Sequence, residues 1–236
     1  MKLHRNEDRG IADHGWLKSR HSFSFANYYN PKMMGFGALR VINDDRVDAS
    51  QGFGTHPHQN MEIISIPLKG ALKHKDTMGN ETIIRHGEVQ AMSAGTGVMH
   101  SEYNHSAKEE VNFLQIWVLP KKQNIKPNYS QRSFDLAGRD NQLQLIVSPD
   151  GRNDSVQINQ DAYFHLLDLK EGKHLNYQQI KSQNGLYIFL LEGELSVQSQ
   201  KVSKRDGLAI EKFETVALKA TQDAQVLLME VPMDIA

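Results

Sequence analysis

Short hydrophobic runs separated by turn residues follow one another along almost the whole chain. They recur at a roughly ten-residue spacing, which is typical of antiparallel strands in sandwiches and barrels rather than of alternating strand–helix units. The pattern therefore predicts an all-β fold. The runs that predict strands are residues 38–47, 62–68, 71–77, 81–86, 89–93 and 112–119, and then 142–147, 162–169, 185–191, 194–198, 207–210 and 224–231.

The strand-like runs fall into two halves of similar plan. Residues 120–140 between them are polar and predict a crossover segment, with a short helix near residues 133–137. The turn at residues 66–70 of the first half has a counterpart at residues 190–193 of the second. The halves therefore predict two copies of one β-barrel design, with domains at residues 1–130 and 131–236.

Composition excludes several classes of protein. The net charge is −1 and there is no cysteine, which argues against nucleic-acid binding, disulfides and thiolate metal sites. The charged N-terminal residues 1–8 lack the apolar core of a signal peptide, and the longest apolar run, residues 186–191, is too short to cross a membrane. These observations predict a soluble cytoplasmic protein that binds neither nucleic acid nor a membrane.

Two short signatures predict a metal site. His56-Pro57-His58 and His100-Ser101-Glu102 each place two potential ligands at positions i and i+2, which face the same side of a strand. Two strands can thus direct three imidazoles and one carboxylate at one divalent ion. Glu62 lies at an even offset from His58, so periodicity alone leaves it open as the carboxylate ligand.

The glycines around these signatures resemble the two motifs of the cupin superfamily. The first cupin motif runs from glycine through HxH to glutamate and a closing glycine, as do residues 52–62 followed by Gly70. The second motif matches residues 87–100 followed by Asn104, except that Ser93 stands where cupins usually have proline. Glu102 stands two residues after His100, the histidine of the second motif. In this respect the motif resembles that of one cupin branch, the pirins.

Further stretches resemble the pirin family, above all its bacterial members known as quercetin 2,3-dioxygenases. They are residues 16–29, 36–47, 73–80 and 114–118, so that the resemblance is strong over about the first 120 residues and looser beyond them. It implies two tandem jelly-roll barrels packed face to face, a bicupin, with a degenerate second barrel that lacks ligands. It also implies the metal ligands His56, His58, His100 and Glu102, with Glu102 chosen over Glu62.

The resemblance further implies an activity. A metal-dependent dioxygenase would cleave a flavonol such as quercetin with O2 and release CO, with Glu102 as the catalytic base for the substrate hydroxyl. The implied cofactor is one divalent ion, Fe(II) in the cell, with Cu, Mn, Ni, Co or Zn as alternatives. The rival function is a redox-sensing regulatory protein that binds transcription factors or metabolic enzymes. The partners are then a small aromatic substrate and O2, or a protein.

Other histidines receive structural interpretations. His74 and Asp76 share a strand face and are predicted to make cross-strand polar pairs rather than to bind metal. Three further histidines are predicted to lie at strand ends and face solvent, namely His86, His165 and His174.

The N-terminal segment and several large apolar side chains are expected to enclose the first barrel. His14 and His21 are predicted to cover this barrel together with Trp16, without taking part in chemistry. Four residues are expected mainly in the core, some of them lining an apolar pocket for a flat aromatic substrate: Phe53, Met61, Met92 and Trp117.

Overall fold

The computed structural model describes residues 1–235, which form 22 β-strands. The strands before residue 134 are β1 (Lys2–His4), β2 (Gly10–Asp13), β3 (Leu17–His21), β4 (Leu39–Val47), β5 (Gly52–His58), β6 (Glu62–Lys69), β7 (Ala71–Asp76), β8 (Glu81–Arg85), β9 (Glu88–Ser93), β10 (Val98–Asn104), β11 (Val111–Val118) and β12 (Asn128–Ser133). Those after it are β13 (Gln144–Ser148), β14 (Val156–Gln157), β15 (Tyr163–Leu169), β16 (His174–Gln178), β17 (Asn184–Glu192), β18 (Glu194–Val197), β19 (Gln200–Ser203), β20 (Gly207–Ile210), β21 (Thr215–Ala220) and β22 (Ala224–Pro232).

Helical structure is confined to three 3-10 turns within residues 1–235, at Asn6–Asp8, Leu136–Arg139 and Arg152–Asp154. No helix in this part of the chain has the length and hydrophobicity that crossing a bilayer requires. The predicted all-β fold is confirmed.

Each half of the chain contributes one large and one small sheet. In the first half, a seven-stranded sheet of order β12-β9-β6-β11-β4-β3-β2 faces a four-stranded sheet of order β5-β10-β7-β8. In the second half, the orders are β1-β20-β17-β22-β15-β13-β14 and β16-β21-β18-β19. Two sheets closed over a common apolar core make a barrel, so the predicted bicupin architecture is confirmed.

The two large sheets pack against each other. Apolar side chains occupy much of both faces of their central strands, because one face lines a barrel and the other meets the opposite half. The shared core includes Ile64 and Leu114 from the first half and Phe164 and Leu227 from the second, all fully buried. The barrels are therefore packed face to face, as the resemblance to pirins implies.

Two strands belong to sheets that their sequence position does not suggest. β1 pairs with β20 and so extends the large sheet of the second half. β12 pairs with β9 in the first half, within the segment predicted as a crossover. The short helix predicted near residues 133–137 is found as a 3-10 helix that begins later, at Leu136–Arg139, since β12 runs to Ser133. The division of the chain near residue 130 remains a prediction.

A histidine lies inside the second barrel. His165 is on β15, which pairs with β13 on one side and β22 on the other, and it is 7% exposed. Its ring packs against Tyr177 with 5.5 Å between centroids, and its Nδ1 has no hydrogen-bond partner among the described residues. The prediction that His165 faces solvent is therefore wrong, whereas the exposure of His86 and His174 is confirmed. Burial lowers the pKa of His165 to about 4.

This burial predicts a pH-dependent loss of stability. The pKa of His165 is lower in the folded state than in the unfolded chain, so stability falls as pH drops from about 6.5 towards 4, while the unfolded chain gains protons. Between pH 7.5 and pH 5 the contribution is roughly 2 kcal/mol. His165→Leu should remove that part of the pH dependence in urea unfolding. His174→Leu, at an exposed position, is the control, and identical pH slopes for His165→Leu and the unsubstituted protein would contradict the prediction.

Candidate metal centre

Two adjacent antiparallel strands bring three imidazoles together. His100 on β10 lies directly opposite His56 on β5, and His58, two residues further along β5, faces the same side. The three ring centroids are 4.5 to 4.8 Å apart. The side-chain nitrogens that these rings offer all lie within 4.8 Å of one another. The structure thus brings together the three histidines that the two signatures predict.

Hydrogen bonding to Nδ1 fixes the tautomer of His56. Its Nδ1 lies 2.8 Å from the carbonyl oxygen of Gly54, and a carbonyl only accepts, so Nδ1 carries the hydrogen. The Nε2 of a neutral His56 is then a bare lone pair. In addition, the Nε2 of His58 is buried without any hydrogen-bond partner among the described residues.

A chain of polar contacts fixes His100 in the same way. The turn after β7 donates the backbone N–H groups of Met78 and Asn80 to Asp76. Asp76 accepts from His74 Nε2 at 3.0 Å, so His74 Nδ1 is left as an acceptor. That atom lies 3.5 Å from His100 Nδ1, a long contact in which His100 is the donor. The Nε2 of His100 is therefore a lone pair as well.

These lone pairs face each other. The Nε2 atoms of His56 and His100 are 3.1 Å apart, although neither carries the hydrogen that would join them. Two nitrogens bound to one ion at about 2.1 Å and at a right angle lie about 3 Å apart. Burial lowers the pKa of His58 to about 4 and that of His100 to about 3, with neighbouring imidazoles adding to the effect, so both are neutral at physiological pH. The donor set fits a divalent metal ion.

Glu102 is held beside His100 and His74. The register between β10 and β5 shifts between His100 and Glu102, where β5 holds an extra residue, and such a bulge re-aims the neighbouring side chains. The two carboxylate oxygens receive hydrogen bonds from Gln115 Nε2 at 2.7 Å and Ser65 Oγ at 3.0 Å. Glu102, His74 and His100 form a second group of potential ligands within 4.8 Å of one another. His100 belongs to both groups.

Glu62, the alternative carboxylate, lies elsewhere. It is fully buried and accepts hydrogen bonds from Ser93 and from the backbone N–H of Asn159 in the second half. Burial raises the pKa of Glu62. Glu62 belongs to neither group of potential ligands, and its contacts instead connect the two halves of the molecule.

A cavity of about 250 Å³ opens beside the imidazoles. His56, His58 and Glu102 form one side of it. The apolar walls include Trp117, whose ring meets His58 edge to face at 5.0 Å. His14 and His21 also line this cavity, so that the N-terminal segment covers the first barrel as predicted. Phe53 and Trp117 line it too, whereas Met61 and Met92 pack in the apolar cluster around Ile63.

Sequence reasoning missed the residues that support the ligands. His74 is predicted to make cross-strand polar pairs, but its hydrogen bond to Asp76 lies within β7, and its contact across to His100 on β10 is long, at 3.5 Å. Ser65 and Gln115 are polar residues flanked on both sides by apolar ones in the middle of the central strands β6 and β11. A buried polar side chain in such a run needs a partner, and this signal could have identified both residues.

The second half of the described chain contains no comparable group of three or more potential ligands. Its barrel interior holds Glu230 instead, which accepts hydrogen bonds from Tyr177 and from the backbone of Ile180 and Lys181. The candidate centre is therefore confined to the first barrel within residues 1–235.

Comparison with known proteins agrees with this architecture. Residues 4–118 match the family described as pirin, and residues 145–231 match the family described as the quercetinase C-terminal cupin domain. The chain is 45% identical to a quercetin 2,3-dioxygenase of Escherichia coli K12 over 231 residues, 98% of each chain. It is 37% identical over 222 residues to a pirin-like protein of Caulobacter vibrioides, covering 94% of this chain and 95% of that one.

Solved structures extend the comparison. The crystal structure of YhhW from Escherichia coli superimposes with a TM-score of 0.94 at 43% identity, covering 100% of this chain and 99% of that one. The structure of the bacterial pirin YhhW in complex with nickel(II) gives a TM-score of 0.92 at the same identity, with 98% of each chain covered. From the shared fold and the near full-length identity, we conclude that this chain belongs to the pirin family of bicupins.

Proposed function

We propose that this protein is a metal-dependent dioxygenase that cleaves a flavonol such as quercetin with O2. The observation that carries the proposal is the cavity of about 250 Å³, which is lined by His56 and His58, two of the three imidazoles that converge with His100. Nε2 of His58 has no hydrogen-bond partner in the described part of the chain. The proposed ligands are His56, His58, His100 and Glu102. The proposed ion is Fe(II), and the same donors also accept Cu, Mn, Ni, Co or Zn.

The chemistry that a bound divalent ion supplies is Lewis-acid polarisation of a substrate hydroxyl, together with redox access to dioxygen. Glu102 is placed to take the proton of the flavonol 3-hydroxyl, since it lines the cavity and lies next to His100. The hydrogen bonds from Ser65 and Gln115 hold this carboxylate in position. In the overall reaction two carbon–carbon bonds break, both oxygen atoms enter the product, and one carbon leaves as CO.

The cavity walls would orient the substrate and keep water away from it. Phe53 and Trp117 offer aromatic surfaces to a planar ring system, and Phe25 packs edge to face against Trp117 at 5.3 Å between centroids. A regulatory protein that only senses the redox state of its metal needs no such cavity. The open space beside the imidazoles therefore favours an enzyme over a purely regulatory role. The relatives named quercetin 2,3-dioxygenase give the substrate class.

The ligand assignment makes a specific prediction about two glutamates. Glu102→Gln should lower both bound metal and O2 uptake with quercetin at least tenfold, because it removes a charged donor. Glu62→Gln is the matched control, since Glu62 contacts Ser93 and Asn159 rather than the imidazoles, and it should keep metal content and activity. Metal analysis and an oxygen electrode give the two readings. Equal losses in both variants would contradict the assignment.

Activity should also depend on the ion itself. His56→Ala, which removes one imidazole, should abolish flavonol-dependent O2 uptake while the far-UV circular dichroism spectrum remains that of a β protein. CO release, measured by binding to a haem protein, should fall in parallel. Full activity in rigorously metal-free protein would refute the proposed function.

The contacts behind His100 predict a weaker metal site when they are broken. His74→Phe should lower the affinity for Ni(II) or Co(II) about 10- to 100-fold, because His100 loses the acceptor that fixes its tautomer. Asp76→Asn should do the same less strongly. His86→Phe, at an exposed position, is the control. Titration of metal-free protein by calorimetry gives the affinities, and unchanged values in His74→Phe would show that His100 needs no support.

A further inference from the structure

A second polar patch lines the same cavity, on the wall formed by β3 and β4. Ser19 lies directly opposite Asp45, and His21 lies directly opposite Asn43. Since alternate residues of a strand share a face, all four side chains point to one side of the sheet, and all four line the cavity. The metal ligands come from β5 and β10, so the cavity carries polar groups on two of its walls. Gln115 lies between them, because it pairs with Asn43 and donates to Glu102.

Most polar atoms of this patch have partners, but Oδ1 of Asp45 does not. His21 Nδ1 lies 2.7 Å from Asn43 Oδ1, and Ser19 Oγ lies 3.3 Å from the same nitrogen. Asp45 is 4% exposed, and its Oδ1 has no hydrogen-bond partner in the described part of the chain. A buried carboxyl oxygen without a partner destabilises the folded protein, so its presence in a cavity wall indicates a partner that arrives with a ligand.

Asp44, the acidic residue next to Asp45 on β4, forms ion pairs. Asp44 points to the opposite face of β4, where it lies 3.6 Å from Arg9 and 3.3 Å from Arg205. Asp45 has no such ion pair within residues 1–235. These two adjacent carboxyl groups thus have different environments. Asp44 is ion-paired between the barrels, whereas Asp45 has no ion pair inside the first barrel.

The environment of Asp45 also selects the kind of ligand group. Burial, with further contributions from the charges of Asp44 and Glu102, raises the pKa of Asp45 to about 7. Near neutral pH both protonation states are populated. A hydroxyl group can pair with either state, because it donates to the carboxylate and accepts from the acid. An anionic group would be repelled by both Asp45 and Glu102.

We propose that Asp45 is a specificity-determining residue that binds a hydroxyl group on the part of the substrate remote from the metal ligands. The cavity then selects aromatic compounds with two separated oxygen functions, one for the metal region and one for Asp45. This inference rests on the proposed flavonol substrate. Its test, however, measures binding and requires no turnover.

Two ligands and two variants make the test. Quercetin carries hydroxyl groups on both outer rings, whereas 3-hydroxyflavone has only the hydroxyl that would meet the metal region. Asp45→Leu removes the polar group at similar size, and Asp45→Asn keeps a group that both donates and accepts. The two tryptophans report binding, since Trp117 lines the cavity and Trp16 packs on Phe53 at 5.4 Å, so fluorescence quenching under anaerobic conditions gives the dissociation constants.

We expect Asp45→Leu to weaken quercetin binding about tenfold and to leave 3-hydroxyflavone binding unchanged, with Asp45→Asn retaining most of the affinity for quercetin. Metal content and melting temperature, measured on the same samples, should not fall. Equal effects on both ligands, no effect on either, or no binding of quercetin to the unsubstituted protein would each overturn the proposal.

The outcomes also separate this inference from the proposed function. Selective loss of quercetin binding in a protein that never consumes O2 would refute the dioxygenase activity and keep the role of Asp45. Normal turnover combined with an equal loss of affinity for both ligands would support the dioxygenase activity and refute the role of Asp45. A fall in turnover rate without any change in quercetin affinity would show that Asp45 acts in the chemical step, and would overturn its role in binding.

Discussion

The convergence of three imidazoles on one point is the constraint around which the first barrel is arranged. Lone pairs that face each other at 3.1 Å repel unless a cation lies between them, so the protein has to hold them there by other means. It does so through atoms on the far side of each ring: the carbonyl of Gly54 behind His56, and His74 behind His100. The hairpin turn donates a hydrogen bond to Asp76, and Asp76 in turn contacts His74. The turn thereby contributes to the position of the His100 ring.

The same constraint explains why polar residues occur in the central strands. Glu102 projects from the small sheet into the barrel, where an unsatisfied carboxylate would be costly. Ser65 and Gln115, on adjacent strands of the large sheet, donate hydrogen bonds to this carboxylate. The interior of this barrel is therefore polar where the sheets approach the candidate centre and apolar around Ile63 and Met92. The second barrel, which has no such centre in the described chain, is filled mainly by aliphatic side chains.

The resemblance to pirins implied the face-to-face barrels. Periodicity and motif spacing were sufficient to predict the all-β fold and the convergence of His56, His58 and His100. These features depend on local alternation, which a sequence displays directly. The sequence did not reveal pairings between distant segments, such as β1 with β20, because register is decided by tertiary packing. For the same reason His165 was misplaced: an isolated histidine gives no sign of whether its strand lies at the edge or in the centre of a sheet.

The pairing of β1 with β20 has a consequence for how the chain can fold. His4, on the first strand of the structure, hydrogen-bonds Tyr187 at 3.0 Å, and its strand completes a sheet whose partner strand begins at Gly207. When the residues of the first barrel have left the ribosome, most residues of the second barrel have not yet been synthesised. During synthesis β1 therefore cannot take its place in the sheet until the residues of β20 have been made, about 200 residues later. The pairing of β1 with β20 thus belongs to the late steps of folding.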